Sequence, residues 1–193
     1  VDWTNRAEET ARSTTGVTNS EGAEAGWGRA TLHVAATNGF AQSYSGSNYS
    51  LSVSVLAGEG TAMERDYDYT SSVYAEDLMS PEDIGRSAGE RAVRRLNPKK
   101  VETTQAPVVY DNRGARSLIS HFAAAINGSS VARNTSFLKD KMDEMVFHER
   151  ITIVDDPHRR RGLRSKPFDA EGVANQHRKV IENGRLTTWI MDL

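Results

Sequence analysis

The chain has 193 residues, of which 37% are hydrophobic and 26% charged, a balance typical of a globular protein of one or two domains. Its formal net charge of −2 excludes a strong overall attraction to nucleic acid or to an anionic membrane, and no apolar run is long enough to cross a bilayer. The absence of cysteine excludes disulfides, thiolate metal ligands and a cysteine nucleophile.

The first hundred residues predict a helix followed by an antiparallel sheet. Residues 1–12 have helical composition, and residues 17–28 have the polar, glycine-containing composition of a loop. Apolar and polar residues alternate from Arg29 onward, which indicates half-buried strands, and Asn38-Gly39 predicts a tight hairpin turn. We therefore expect a four-stranded antiparallel meander with one polar face. The predicted strands are 29–36, 40–44, 49–58 and 63–69.

A helix beginning at Pro81 is predicted to cover the apolar face of this sheet. Ser80 is a favourable N-cap, proline suits the first helical position, and Asp83 completes a pattern similar to a capping box. The helix is expected to end at Asn97-Pro98. The prediction is an α+β fold in which a middle domain, residues 1–98, combines an antiparallel β-meander with a covering helix.

The second half of the chain predicts part of a further strand-rich domain, residues 107–193, after a linker over residues 99–106. The chain begins without methionine and ends inside the last predicted strand, which would leave an unpaired edge, so we expect a piece of a longer protein. The predicted elements are a buried strand 107–111, a helix 115–126, a weaker helix 137–145, a strand 151–154, and strands 179–182 and 185–190 around a turn at Asn183-Gly184.

The dipeptide His148-Glu149 matches the start of a zinc-peptidase pattern in which a helix carries two histidines and a glutamate general base. Thr152 and Ile153 occupy the places where a second histidine would complete the pattern. The residues that follow the dipeptide favour a strand. The dipeptide therefore predicts no metal site.

The segment after this strand combines acidic and basic side chains. The paired carboxylates Asp155 and Asp156 are compatible with acid–base chemistry or with a hard cation, whereas Pro157 favours a turn stabilised by Asx hydrogen bonds. Five cations lie between Arg159 and Lys166 with no aromatic residue among them. That composition favours a solvated or carboxylate-paired loop over a platform for single-stranded nucleic acid.

Residues 151–172, ITIVDDPHRRRGLRSKPFDAEG, are the most distinctive stretch of the chain. Together with NPKK at 97–100 and PVVYD at 107–111, in the same order, they resemble the TldD/PmbA family. Members of this family were once called modulators of DNA gyrase and look like two-subunit metallopeptidases. The resemblance runs over nearly the whole chain and is closest to the central part of the PmbA (TldE) branch.

The resemblance implies that this chain lacks the family's metal site. His121 falls where active members carry the last histidine of a His-Glu-x-x-x-His motif, with Arg116 and Ser117 in place of the first histidine and the glutamate. A guanidinium does not ligate a cation, and a serine hydroxyl is a poor base at neutral pH. A cysteine ligand of active members has no counterpart here. We expect no catalytic residue and no metal in this chain, with His121 packed or hydrogen-bonded.

The same resemblance places a substrate cleft or a subunit contact in the loop that follows the strand. The aromatic residue of the Phe-Asp-Ala-Glu-Gly sequence would anchor an exposed peptide-docking edge, and the glycine would permit close backbone approach. The candidate residues are Asp156, His158, Arg161, Phe168, Asp169, Glu171 and Gly172.

The implied function is that of a non-catalytic subunit in a cytoplasmic metallopeptidase that cleaves extended or unfolded peptides, in peptide maturation and antitoxin turnover. A TldD-like partner would carry the zinc, and this chain would hold no cofactor. In isolation the chain could form a homodimer. Neither a membrane nor nucleic acid is an expected partner. The alternative is an autonomous metallopeptidase that uses His121 with His148 or His158. A regulator of gyrase or nucleic acid, binding through the arginines, ranks last.

Overall fold

The computed structural model describes residues 1–191, which form two compact units. The first unit consists of residues 1–102 together with residues 159–165, and the second contains the remaining described residues. The segment 159–165 lies inside the sequence-predicted second domain but groups with the first unit. Both units combine helices with antiparallel strands, which confirms the predicted α+β class. No helix in residues 1–191 is long and apolar enough to cross a bilayer.

The first unit contains an antiparallel sheet of three strands in the order β1-β2-β3. Strand β3 pairs with β2 only from Tyr49 to Ala57, whereas β1 and β2 pair along their full lengths. The outer part of the hairpin, residues 28–35 and 41–48, is therefore a two-stranded ribbon, and most of its side chains are exposed. The strands are β1 (Val17–Ala35), β2 (Ala41–Ala57) and β3 (Glu64–Ser72).

The prediction of four strands is wrong in two places. Residues 17–28, predicted as a loop, form the first part of β1, and no break interrupts β2 at the Ser-Gly-Ser-Asn sequence 45–48. Hydrogen bonds across the hairpin hold these small residues extended despite their low strand propensity. Register shifts near Ser20 and Gly22 accommodate the positive φ of 104° at Gly22.

Two helices pack on one face of this sheet: α1 (Asp2–Arg12) and α2 (Pro81–Arg94). The predicted N-cap of α2 is confirmed, because Ser80 Oγ accepts a hydrogen bond from the Asp83 amide at 3.1 Å. The apolar stripe of α2 is buried against the alternating apolar residues of β2. The buried core consists of Ala7, Ala11, Leu51, Val53, Val55, Ala57, Ile84, Ala88 and Ala92.

The contact between α1 and α2 depends on two glycines of α2. A Cβ atom added at Gly85 would overlap the carbonyl oxygen of Ala7, and one added at Gly89 would overlap the side chain of Thr14. The backbones of the two helices can approach this closely only because these positions lack side chains.

The second unit contains a short antiparallel sheet of order β4-β5-β6 and two helices. Asp111 caps the first helix, since its Oδ1 accepts a hydrogen bond from the Gly114 amide at 2.7 Å. The predicted turn at Asn183-Gly184 is confirmed, and both residues have positive φ angles, 49° and 82°. The elements are α3 (Asn112–Ala125), α4 (Gly128–Ala132), β4 (Ile153–Asp155), β5 (Arg178–Glu182) and β6 (Arg185–Leu186).

Three local predictions for this unit are wrong. Residues 107–111 are not a buried strand: the side chain of Val109 is 95% exposed, and no strand among the described residues pairs with this segment. Residues 137–145 form turns without a helix. The last strand ends at Leu186, because the chain then diverges to hydrogen-bond with the end of α3, where the Ile190 amide donates to Ile126 O at 2.9 Å.

Candidate functional site

The loop after β4 begins with an Asx turn, as the Asp-Asp-Pro sequence predicts. Asp156 Oδ1 accepts a hydrogen bond from the amide of His158 at 3.1 Å, and both side chains are exposed. The Lys166 amide donates to Pro157 O at 2.9 Å and closes the base of the segment between them. Asp156 therefore has a clear local structural role.

Residues 159–165, here called the arginine loop, fold into consecutive turns. The carbonyl oxygen of Arg159 accepts hydrogen bonds from the Gly162 amide at 3.0 Å and from Ser165 Oγ at 2.7 Å. Arg161 lies between these contacts with a φ of 57°, a conformation that few non-glycine residues adopt. These hydrogen bonds hold the turns of the loop together.

The guanidinium of Arg161 binds carboxylates of the 3-10 turn Ala75–Asp77 in the same unit. Nη1 donates to both carboxylate oxygens of Asp77, at 2.8 and 2.9 Å, and Nη2 donates to Glu76 Oε1 at 2.8 Å. The guanidinium carbon also lies 4.4 Å from the ring centre of Tyr74, within cation–π range. Hydrogen bonding by Glu76, with a further contribution from Asp77, raises the pKa of Arg161 above its ordinary value. The pairing of this loop with carboxylates, which the sequence predicts, is therefore observed at Arg161.

The Phe-Asp-Ala-Glu-Gly sequence forms a closed turn in the second unit. Phe168 is buried, and Asp169 Oδ1 accepts hydrogen bonds from the amides of Glu171 at 3.0 Å and Val173 at 2.8 Å. Gly172 has a φ of 84°, which explains the glycine at this position. The side chain of Glu171 is exposed. Phe168 therefore anchors the turn, Asp169 closes it, and Glu171 faces solvent.

Helix α3 carries the residues at the degenerate metal position. His121 is exposed, and within residues 1–191 its imidazole makes no hydrogen bond or ion pair, so the expectation that it is packed or hydrogen-bonded is wrong. The reason is helix geometry, because α3 directs the neighbouring Phe122 and Ala125 into the core. Ser117 Oγ donates to Gly114 O of its own helix at 2.7 Å. Arg116 is also exposed.

These side chains do not fit a divalent cation. Nowhere in residues 1–191 do three His, Asp or Glu side chains come together in a group that could hold a metal ion. On α3 the set consists of one imidazole, one hydroxyl already bonded to the helix backbone, and one guanidinium. Of the other two candidate histidines, His148 accepts a hydrogen bond at Nδ1 from the Arg150 amide at 3.2 Å and lies in a turn, outside any helix. His158 is exposed in the Asx turn after β4.

Two family models match the chain. The model of the PmbA/TldA metallopeptidase central domain matches residues 1–96, and that of the C-terminal domain matches residues 103–193. The chain belongs to the PmbA/TldD family. This confirms the family resemblance carried by residues 151–172.

Sequence relatives and solved structures of the family agree with this assignment. The Metalloprotease PmbA homolog of Haemophilus influenzae is 44% identical over 155 residues, covering 80% of this chain and 34% of the relative. Metalloprotease PmbA of Escherichia coli O157:H7 is 36% identical over 192 residues, covering 99% of this chain and 43% of the relative. The chain thus spans less than half the length of these PmbA relatives.

Crystal structures show the same PmbA/TldD fold. A putative modulator of DNA gyrase from Bacteroides thetaiotaomicron superposes with a TM-score of 0.93 at 32% identity, over 99% of this chain and 44% of that one. TldE from Thermococcus kodakarensis superposes with a TM-score of 0.76 at 20% identity, over 99% of this chain and 44% of that one, and shows the fold alone.

Sequence reasoning missed the partners of Arg161. Tyr74, Glu76 and Asp77 lie more than 80 residues away along the chain, and the Arg161–Asp77 separation is 84 residues. Nothing local to either segment indicates that they meet.

Proposed function

We propose that this chain is part of a PmbA/TldE-like subunit that holds no catalytic metal itself and shapes the peptide-binding cavity of a two-subunit metallopeptidase. The observation that carries the proposal is the side-chain set of α3, where an exposed His121 is preceded by Arg116 and Ser117. In this proposal a TldD-like partner in the cytoplasm supplies the zinc and polarises water. This chain contributes walls and contacts only.

The chemistry of these side chains supports this assignment. On a regular helix, residues five apart are separated by about 7.5 Å along the axis and by about 140° around it, so Arg116 and His121 lie on different faces of α3. A guanidinium supplies no ligand to a divalent ion, and a lone imidazole supplies too few ligands to hold one. The substrates that we propose are extended or unfolded peptides undergoing maturation or turnover, and membership of a metallopeptidase family supports a peptide substrate.

The runner-up is an autonomous metallopeptidase. One observation favours it, because the exposed His121 imidazole is sterically available as a ligand. It would need further ligands close to His121, such as His148 or His158. No group of this kind is present within residues 1–191.

A cleavage assay with a matched pair of variants tests the proposal. The chain is mixed with a zinc-loaded TldD-like subunit, and hydrolysis of an unstructured fluorogenic peptide is followed. His121→Ala in this chain is expected to leave the rate unchanged, because the exposed side chain neither packs nor coordinates. Substitution by alanine of a motif histidine in the partner is expected to abolish cleavage.

Two outcomes would contradict the proposal. Cleavage by this chain alone, lost in His121→Ala, would establish the autonomous enzyme. Absence of any complex between the wild-type chain and the partner would remove the proposed subunit role. Ser120→Ala, a change at an exposed neighbour on α3, controls for general disturbance of the helix.

A further inference from the structure

We propose that the arginine loop is a docking element for a carboxylate-bearing protein surface. The inference rests on the proposed function in one respect, since it takes the metal-bearing partner subunit as the protein that supplies this surface. The loop lies within residues 159–165 and groups with the first unit.

The arginines of the loop divide into two kinds. Arg161 is turned toward its own unit and bound by Glu76 and Asp77. Arg159, Arg160 and Arg164 are exposed, and within residues 1–191 their side chains make no ion pair or hydrogen bond. One arginine thus fixes the loop, while three positive charges face solvent without partners.

The backbone that carries these charges has a fixed conformation. Hydrogen bonds to the carbonyl oxygen of Arg159 brace it internally, and Gly162 fits so closely that an added Cβ would overlap Ser165 Oγ. A backbone that is ordered before binding loses little backbone entropy when a partner arrives. The three arginines lie within the segment 159–164, and partner carboxylates would offset the repulsion between their like charges.

The composition of the loop favours a protein partner over a nucleic acid. Leu163 is 53% exposed between arginines, and arginine itself is enriched at protein interfaces. The loop contains no aromatic residue on which bases could stack, and the chain carries a net charge of −2. The binding of Arg161 by two carboxylates shows the chemistry that the guanidinium groups of this loop accept.

The test compares two triple variants of the chain in complex with the metal-bearing subunit. Arg159→Ser/Arg160→Ser/Arg164→Ser removes the solvent-facing charges and leaves Arg161 and Gly162 in place, so the loop keeps its anchor. Lys99→Ser/Lys100→Ser/Arg133→Ser removes the same amount of charge from exposed positions outside the loop. The affinity for the partner is measured by titration calorimetry in low salt and in about 0.5 M salt, where surface charges are screened.

The loop variant is expected to bind the partner about tenfold more weakly in low salt, with a smaller difference in high salt. The control variant is expected to bind within about twofold of wild type. Leu163→Ser is expected to weaken binding at both salt concentrations, because its contribution is apolar.

The inference would be overturned if the arginine triple variant and Leu163→Ser both bound the partner as tightly as wild type. The proposed subunit role would then remain intact. Failure of the wild-type chain to form the complex would overturn both. Duplex DNA is titrated in parallel: binding that the loop triple variant abolishes, with unchanged affinity for the subunit, would assign the loop to nucleic acid instead.

Discussion

Arg161 is a surface residue whose contacts fix a whole loop. Arg161→Ala is expected to loosen the loop and to increase trypsin cleavage after Arg160 and Arg164 several-fold, because the contacts to Glu76 and Asp77 are lost. Peptide mass mapping over a digestion time course measures this. Arg161→Lys keeps the charge without the planar fork and should give an intermediate rate. Equal rates in all three proteins would show that the backbone turns alone hold the loop.

Gly85 shows how a single position can reverse an ordinary helix preference. Replacing a helical glycine with alanine normally stabilises a protein by about 0.5–1 kcal/mol. Here the added methyl group would overlap the Ala7 carbonyl oxygen, so Gly85→Ala is expected to destabilise the chain by about 1–3 kcal/mol. Urea unfolding measures the change, and Glu90→Ala on the exposed face of α2 is the control. A gain in stability would mean that α1 shifts freely away from α2.

At the scale of elements, an ion pair joins the two helices of the first unit. Arg6 Nε donates to Glu82 Oε1 at 2.7 Å, and Nη2 donates to Oε2 at 3.1 Å. Hydrogen bonding by Arg6 lowers the pKa of Glu82 from its ordinary 4.5. A carboxylate with a lowered pKa stabilises the folded state above its unfolded pKa, and this stabilisation is lost as the pH falls through the folded value.

Glu82→Gln is therefore expected to be less stable than wild type at neutral pH and to approach wild type as the pH falls below 4.5 and through the lowered folded-state pKa of Glu82. Urea unfolding across this pH range measures the difference. Glu90→Gln removes an exposed carboxylate of the same helix that makes no ion pair in residues 1–191, and it should track wild type throughout. A difference at Glu82 that does not change with pH would exclude the ion pair as its cause.

Elements whose signals lie within a few residues could be predicted from the sequence. The Ser80 cap and the Asn183-Gly184 turn depend on side-chain and backbone chemistry inside one turn. The first part of β1 could not be predicted from its own composition. Residues 17–28 are extended because they pair with β2, and that pairing leaves no local signal in their sequence. For residues 107–111 the error was the opposite one, because a strand was predicted and none forms. Residues that favour strands adopt one only where another strand pairs with them.

At the scale of the whole molecule, the proposed subunit role predicts a chain whose stability does not depend on metal. A ligand that binds only the folded state raises the unfolding temperature, so EDTA should leave the unfolding temperature of this chain unchanged. The same treatment should abolish cleavage by its complex with the metal-bearing subunit. A decrease in the unfolding temperature with EDTA that zinc reverses would contradict the proposal.

In the candidate site, too, only the features with local signals could be predicted from the sequence. The turn of Phe168–Gly172 was foreseeable, because an aromatic anchor and a glycine with positive φ are local features. The exposure of His121 and the contacts of Arg161 were not, because they depend on which face of α3 meets the core and on a segment 84 residues distant.

The unequal lengths of the strands in the first unit have a practical consequence. Strand β3 does not extend alongside residues 41–48 of β2, and β1 forms an edge of the sheet. The ribbon therefore leaves backbone amides and carbonyls unpaired along both of its edges. Neither proline nor lysine occurs in residues 28–35 or 41–48 to block strand addition. This chain in isolation is therefore expected to aggregate through the hairpin in a concentration-dependent way.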